Sequence, residues 1–158
     1  MNTQLNMPKR VGWVFLFLSG VIWLAGFIAP SQAATIAVTT TLDERDGSCV
    51  DGDCSLRDAL ATAVSGDTIL IPSGNYVLTL GQLLVDRELT LEGATPAPVI
   101  DANASSRVLE ISGIVPLTLK NVVLTNGRDL DGAGVAILGG GQLTLIDSEL
   151  RGNNASGN

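Results

Sequence analysis

The sequence contains no histidine and, beyond residue 27, a single aromatic residue, Tyr76. Without histidine there can be no His-ligated zinc, no Ser-His-Asp triad and no His general base. Without rings there is no stacked-aromatic groove of the kind that holds single-stranded nucleic acid or flat ligands. Basic residues are scarce too: nine Lys and Arg face 16 Asp and Glu, a net charge of −7. That balance repels phosphate backbones, so no nucleic-acid partner is expected. Only two cysteines occur, Cys49 and Cys54. What remains is an acidic, glycine-rich, aliphatic chain of 158 residues.

The other five aromatics (Trp13, Phe15, Phe17, Trp23, Phe27) and both methionines fall in the first 27 positions. There Lys9 and Arg10 precede an uncharged, mostly apolar run from Val11 to Ala29, ended by Pro30. Ser31-Gln32-Ala33 supplies small residues at −3 and −1 for cleavage before Ala34. Residues 1–33 therefore read as an export signal, with an uncleaved membrane anchor as the alternative because the run is nearly long enough to span a bilayer. Both readings put the remainder outside the cytoplasm: extracellular, on the cell surface, or in the periplasm or outer membrane. The mature chain has no membrane span unless the leader is retained. It carries seven basic residues against 16 acidic ones, a net of −9, and suffices for one domain.

In an exported chain, the close pair Cys49 and Cys54 reads most simply as a disulfide closing a small loop. A metal or redox role is the alternative. Thr35–Thr41 alternates as a strand does. Ser55-Leu56-Arg57-Asp58 matches a capping box, with Ser55 as N-cap. Leu56, Ala59, Leu60, Ala63 and Val64 then share one helical face, and Ser65-Gly66-Asp67 stops the helix.

From Thr68 onward the segments are short and strand-like: 68–71, 76–80, 89–91, 99–100, 108–111, 117–119, 122–124, 135–137 and 143–145. Leu-Thr-Leu recurs at 89–91, 117–119 and 143–145. The last two copies also align downstream, with Asn121 over Asp147 and Asn126-Gly127 over Gly152-Asn153. A period of 20–30 residues with no helices between the strands indicates a β-solenoid, in which equivalent side chains stack in ladders. A narrow aliphatic lumen leaves little room for rings, which accounts for their shortage.

Cys54-Ser55-Leu56-Arg57-Asp58-Ala59 resembles the CSLREA motif found near the N-terminus of secreted bacterial β-helix proteins, with Asp58 in place of the usual Glu. Gly132–Ile137 and Leu150-Arg151-Gly152-Asn153 are looser relatives of the repeats of polymorphic outer-membrane proteins. The resemblance covers roughly residues 35–158. It implies an all-β, single-stranded right-handed parallel β-helix, with the Ser55–Val64 helix over its N-terminal end. Within that motif, Arg57 is expected to pair with a nearby carboxylate. The expected layout is an export signal at 1–33, a cap segment at 34–75 and repeats at 76–158. Ending on Gly157-Asn158 just after a Gly/Asn turn, the chain reads as a truncated product or a fragment.

The fold also hosts polysaccharide lyases, so acidic clusters matter. Asp129 and Asp131, with Gly132 after them, could hold calcium in a loop. Asp51 and Asp53, with Asp43 and Asp46, form a second candidate cluster beside the cysteines. Solvated turns are the competing reading for both. No catalytic residue is assigned. The expected role is structural or adhesive, with a polysaccharide or cell-surface glycan as partner. A calcium-dependent pectate-lyase-like enzyme is the alternative, and it would show carboxylates converging on one face with a Lys or Arg about one rung away.

Overall fold

A computed structural model describes residues 32–50 and 52–156, so the expected export signal lies almost wholly outside the described residues. Among the described residues, β-branched and leucine-rich triplets between Gly, Asn, Asp and Pro give twelve short strands, each three to five residues long. These are β1 (Thr35–Ala37), β2 (Thr68–Ile71), β3 (Asn75–Val77), β4 (Leu83–Val85), β5 (Leu89–Gly93) and β6 (Val99–Asp101). They continue with β7 (Leu109–Ser112), β8 (Pro116–Lys120), β9 (Val123–Thr125), β10 (Val135–Leu138), β11 (Gln142–Ile146) and β12 (Glu149–Arg151). Among the described residues there is one helix, α1 (Leu56–Thr62), between β1 and β2.

The strands form three parallel sheets: A (β1-β2-β5-β8-β11), B (β3-β6-β9-β12) and C (β4-β7-β10). The chain visits A, then B, then C, and returns. It completes three turns of a parallel β-solenoid and begins a fourth with β11 and β12. The first turn starts at Thr68, inside the stretch expected to be cap.

The repeats stack as their spacing requires. Leu89, Leu117 and Leu143 are direct neighbours in sheet A, as are Leu91, Leu119 and Leu145. Ile69 extends the second ladder into the first turn. Tyr76, Ile100, Leu124 and Leu150 form the inward ladder of sheet B, and Val85, Ile111 and Ile137 one of those in sheet C. Ile69, Leu91, Ile100, Ile111, Leu117, Leu119 and Leu124 are completely buried. Tyr76 shows that one ring fits in the first turn, where its hydroxyl donates to the Pro72 carbonyl at 2.9 Å.

The aligned polar positions are corner residues. Asn121 and Asp147 both have φ of 50°, and Asn126 and Gly152 have φ of 54° and 63°, in the left-handed region that Asn, Asp and Gly tolerate best. Asn121 Nδ2 donates to the Gly93 and Ala94 carbonyls of the preceding turn, at 3.1 and 2.8 Å. Asn126 Nδ2 likewise reaches Asp101 Oδ2 at 2.9 Å. Corners between sheets C and A span 86–88, 113–115 and 139–141. Those between B and C span 78–82, 102–108 and 126–134.

Two strands, β4 and β12, were not expected from the sequence: Leu83-Leu84-Val85 shows no apolar–polar alternation, and Glu149-Leu150-Arg151 holds a single apolar residue. The helix is also shorter than expected. It ends at Thr62 because the Asp67 carboxylate takes the Val64 amide at 2.8 Å and the Ala34 amide at 2.7 Å. Among the described residues no helix is long and apolar enough to cross a membrane.

Candidate functional site

The N-terminal motif forms a tightly bonded plug. Ser55 caps α1, its hydroxyl accepting from the Asp58 amide at 3.0 Å. Asp58 does not return to the Ser55 amide as an ordinary capping box would. Its carboxylate accepts from the Ser55 hydroxyl at 2.6 Å and from the Gly47 amide at 2.9 Å, so it ties the loop before the cysteines to the helix. Leu56, Ala59 and Leu60 belong to the same buried core as Ile69 and Leu83 of the first turn. Cys49 and Cys54 form the expected disulfide. Closing so short a loop stabilises by about 2 kcal/mol. Reduction is therefore expected to lower the melting temperature by several degrees, measurable by calorimetry with and without dithiothreitol.

Arg57 does meet a carboxylate, that of Asp43. Nε lies 2.7 Å from Asp43 Oδ1 and Nη2 lies 3.1 Å from Oδ2, with both side chains almost wholly buried. The guanidinium also donates to the Gln82 and Gly81 carbonyls, at 2.8 and 2.6 Å. Asp43 in turn accepts the Thr79 and Leu80 amides, at 2.6 and 2.7 Å. Burial by itself would raise the Asp43 carboxyl. The Arg57 hydrogen bond and the two amides outweigh burial and hold it below the ordinary value. The role is structural: one ion pair joins the acidic loop, the helix and the β3–β4 corner.

The acidic candidates separate. Asp53 lies with Glu44 and Asp46, their carboxylate oxygens within 4.8 Å of one another. Asp43 is committed to Arg57, and Asp51 lies outside the described residues. Three carboxylates suit a hard cation but make only part of the shell of about six to eight oxygens that calcium takes. Asp129 and Asp131 sit in the β9–β10 corner of the third turn. There Arg107 binds Asp129 at 3.0 Å, and its hydrogen bond, with that of the Leu130 amide, holds the carboxyl below its ordinary value. Arg107 also pairs with Glu110 at 3.1 Å, and Gln82 donates to the same oxygen at 2.7 Å. This Arg107-centred network was not visible in the sequence, since its members come from three turns and share no spacing.

One outward face has regular chemistry. Thr35, Thr68, Thr90, Thr118 and Thr144 are successive register partners, so a single threonine column crosses all five strands of sheet A. Thr35 and Thr144 are exposed and the middle three half-buried. None of the five hydroxyls bonds to protein among the described residues. Strand geometry spaces them by about 4.8 Å. The next outward column reads Ala37, Leu70, Glu92, Lys120 and Ile146, in which Glu92 and Lys120 approach to 3.7 Å. Beside it lies an open groove of about 390 Å³, lined by Leu70, Pro72, Glu92 and Ala94 among others. The outward columns of sheets B and C carry no residue type through more than two strands: Asn75, Val99, Val123 and Glu149 form one in B, Val77, Asp101, Thr125 and Arg151 the other, and Leu84, Glu110 and Ala136 follow one another in C. Leu-Thr-Leu revealed three rungs of the column. Thr68 and Thr35 escaped because Thr68 lies only 22 residues before Thr90 and lacks the flanking leucines. No protein-family model, curated protein or solved structure matches the chain.

Proposed function

We propose that this is an exported β-solenoid with a structural or adhesive role, whose sheet A face binds an extended glycan. The threonine column carries the reading. Five hydroxyls with no hydrogen bond among the described residues stand on successive strands, at a spacing close to the advance per sugar of an extended glycan. Leu70 and the threonine methyls offer apolar surface to sugar C–H faces, and Glu92 and Lys120 offer a polar edge. The disulfide fits an oxidising compartment, as the leader-like N-terminus requires.

Cellohexaose binding measured by calorimetry tests this. Replacing Thr90 and Thr118 together by Val keeps the shape and removes two hydroxyls. At about 1 kcal/mol per hydrogen bond, affinity is expected to fall roughly 30-fold, with little change in stability. Unchanged affinity in the double variant would overturn the glycan face. Turnover of polygalacturonate in the presence of calcium would establish the lyase alternative. Its residues are occupied differently: Glu92 pairs with Lys120, Glu110 and Asp129 with Arg107, and Glu149 with Arg151.

A further inference from the structure

Sheet C ends at β4, and α1 packs beside it. Between the helix and the strand lies a groove of about 310 Å³, at the lower end of the range for small-molecule sites. Its floor is aliphatic: Leu60 and Leu83 are buried, while Leu84 is 51% exposed. Arg45, Arg57 and Arg87 line it, three of the seven cations beyond residue 33.

These guanidiniums are not fully used. Arg57 spends four of its five N–H groups on Asp43, Gln82 and Gly81, leaving one on Nη1. Arg87 bonds through Nε to Asp86 and through Nη1 to the Ala63 carbonyl, leaving Nη2 without a partner among the described residues. Arg45 is exposed and has no partner among them. The facing acids are accounted for in part: Asp43 and Asp86 pair with Arg57 and Arg87, while Glu44, Asp46 and Glu88 are the flanking residues of Arg45 and Arg87.

We propose that this groove binds a small organic monocarboxylate with a flat apolar body. A guanidinium fork matches a carboxylate bidentately and stacks on flat groups. The leucine floor rewards a hydrocarbon face that an inorganic anion lacks. The net charge of −7 penalises a dianion more than a monoanion. The site is separate from the threonine column, and its test does not depend on glycan binding.

The test is an amide-shift titration of the intact chain with benzoate, benzyl alcohol and inorganic phosphate. Benzoate is expected to shift Ala61, Leu84 and Arg87, with benzyl alcohol and phosphate each binding about tenfold more weakly or less. Arg45→Gln is expected to weaken benzoate about tenfold without moving the rest of the spectrum. Arg45→Lys, which keeps the charge but not the fork, should fall between. Equal binding of benzyl alcohol would reduce the site to an apolar patch, and equal binding of phosphate to an unselective anion patch. Either result, shifts mapping elsewhere, or an unaltered benzoate affinity in Arg45→Gln overturns the proposal.

Discussion

Replacing Arg57 by Met is expected to destabilise the protein by about 3–5 kcal/mol in urea denaturation, the cost of a buried charge left without its partner. The substitution keeps most of the side-chain volume but strands Asp43 and the Gly81 and Gln82 carbonyls. Asp43→Asn should cost less, since an amide oxygen still accepts the Thr79 and Leu80 amides. Combining the two should cost clearly less than their sum, because each removes the same interaction. The pair also predicts the acid response. The carboxyl of Asp43 is depressed in the folded state. Its contribution is therefore complete above the ordinary value of 3.8 and is lost as pH falls below it towards the folded value. In Asp43→Asn that segment of the acid-unfolding curve should flatten. An unchanged curve would assign acid sensitivity to other carboxylates.

The second large effect is a contrast within one ladder. Leu119→Ala should cost about 3–5 kcal/mol, because Leu119 is completely buried between Leu91 and Leu145 and the rigid ladder collapses poorly around a cavity. Leu145→Ala, the same change one turn later, should cost about 1 kcal/mol or less, since Leu145 is 45% exposed. Urea midpoints of the two variants check this. Comparable losses would mean that in solution Leu145 is covered as Leu119 is.

These positions also mark what was legible in the sequence. Leu-Thr-Leu gave the solenoid, the register of three sheet A strands and the inward and outward faces. One short motif could do this because stacked turns force equivalent residues into the same environment. Asn121 and Asp147 were legible only as an aligned polar pair; that they are corners came from the structure, where a left-handed backbone restricts residue choice. The cap was legible at Ser55 and the cysteines, whose bonds are local. Its ion pair was less so. Arg57 suggested a carboxylate, but choosing Asp43 over Asp46 or Asp53 depends on the Thr79 and Leu80 amides, far along the chain. The groove beneath Arg45 and Arg87 was illegible because helix and strand meet there only after the first turn has closed.

The corners of the coil differ in how much length they absorb. Those between sheets C and A hold three residues in every turn, whereas those between B and C grow from 78–82 to 102–108 to 126–134. Across that growth the strands on either side keep parallel register with the turn before. One edge of the molecule is thus open to insertion, and a loop lengthened there adds little closure entropy and displaces no ladder. Grafted epitopes or extra recognition loops belong on that edge, in the 126–134 corner first. The insertion point there is Leu130-Asp131, both exposed, because Gly127 is closed: a Cβ on it would lie 1.9 Å from the Ala133 carbonyl oxygen. Such a scaffold can change what it displays while leaving its core untouched.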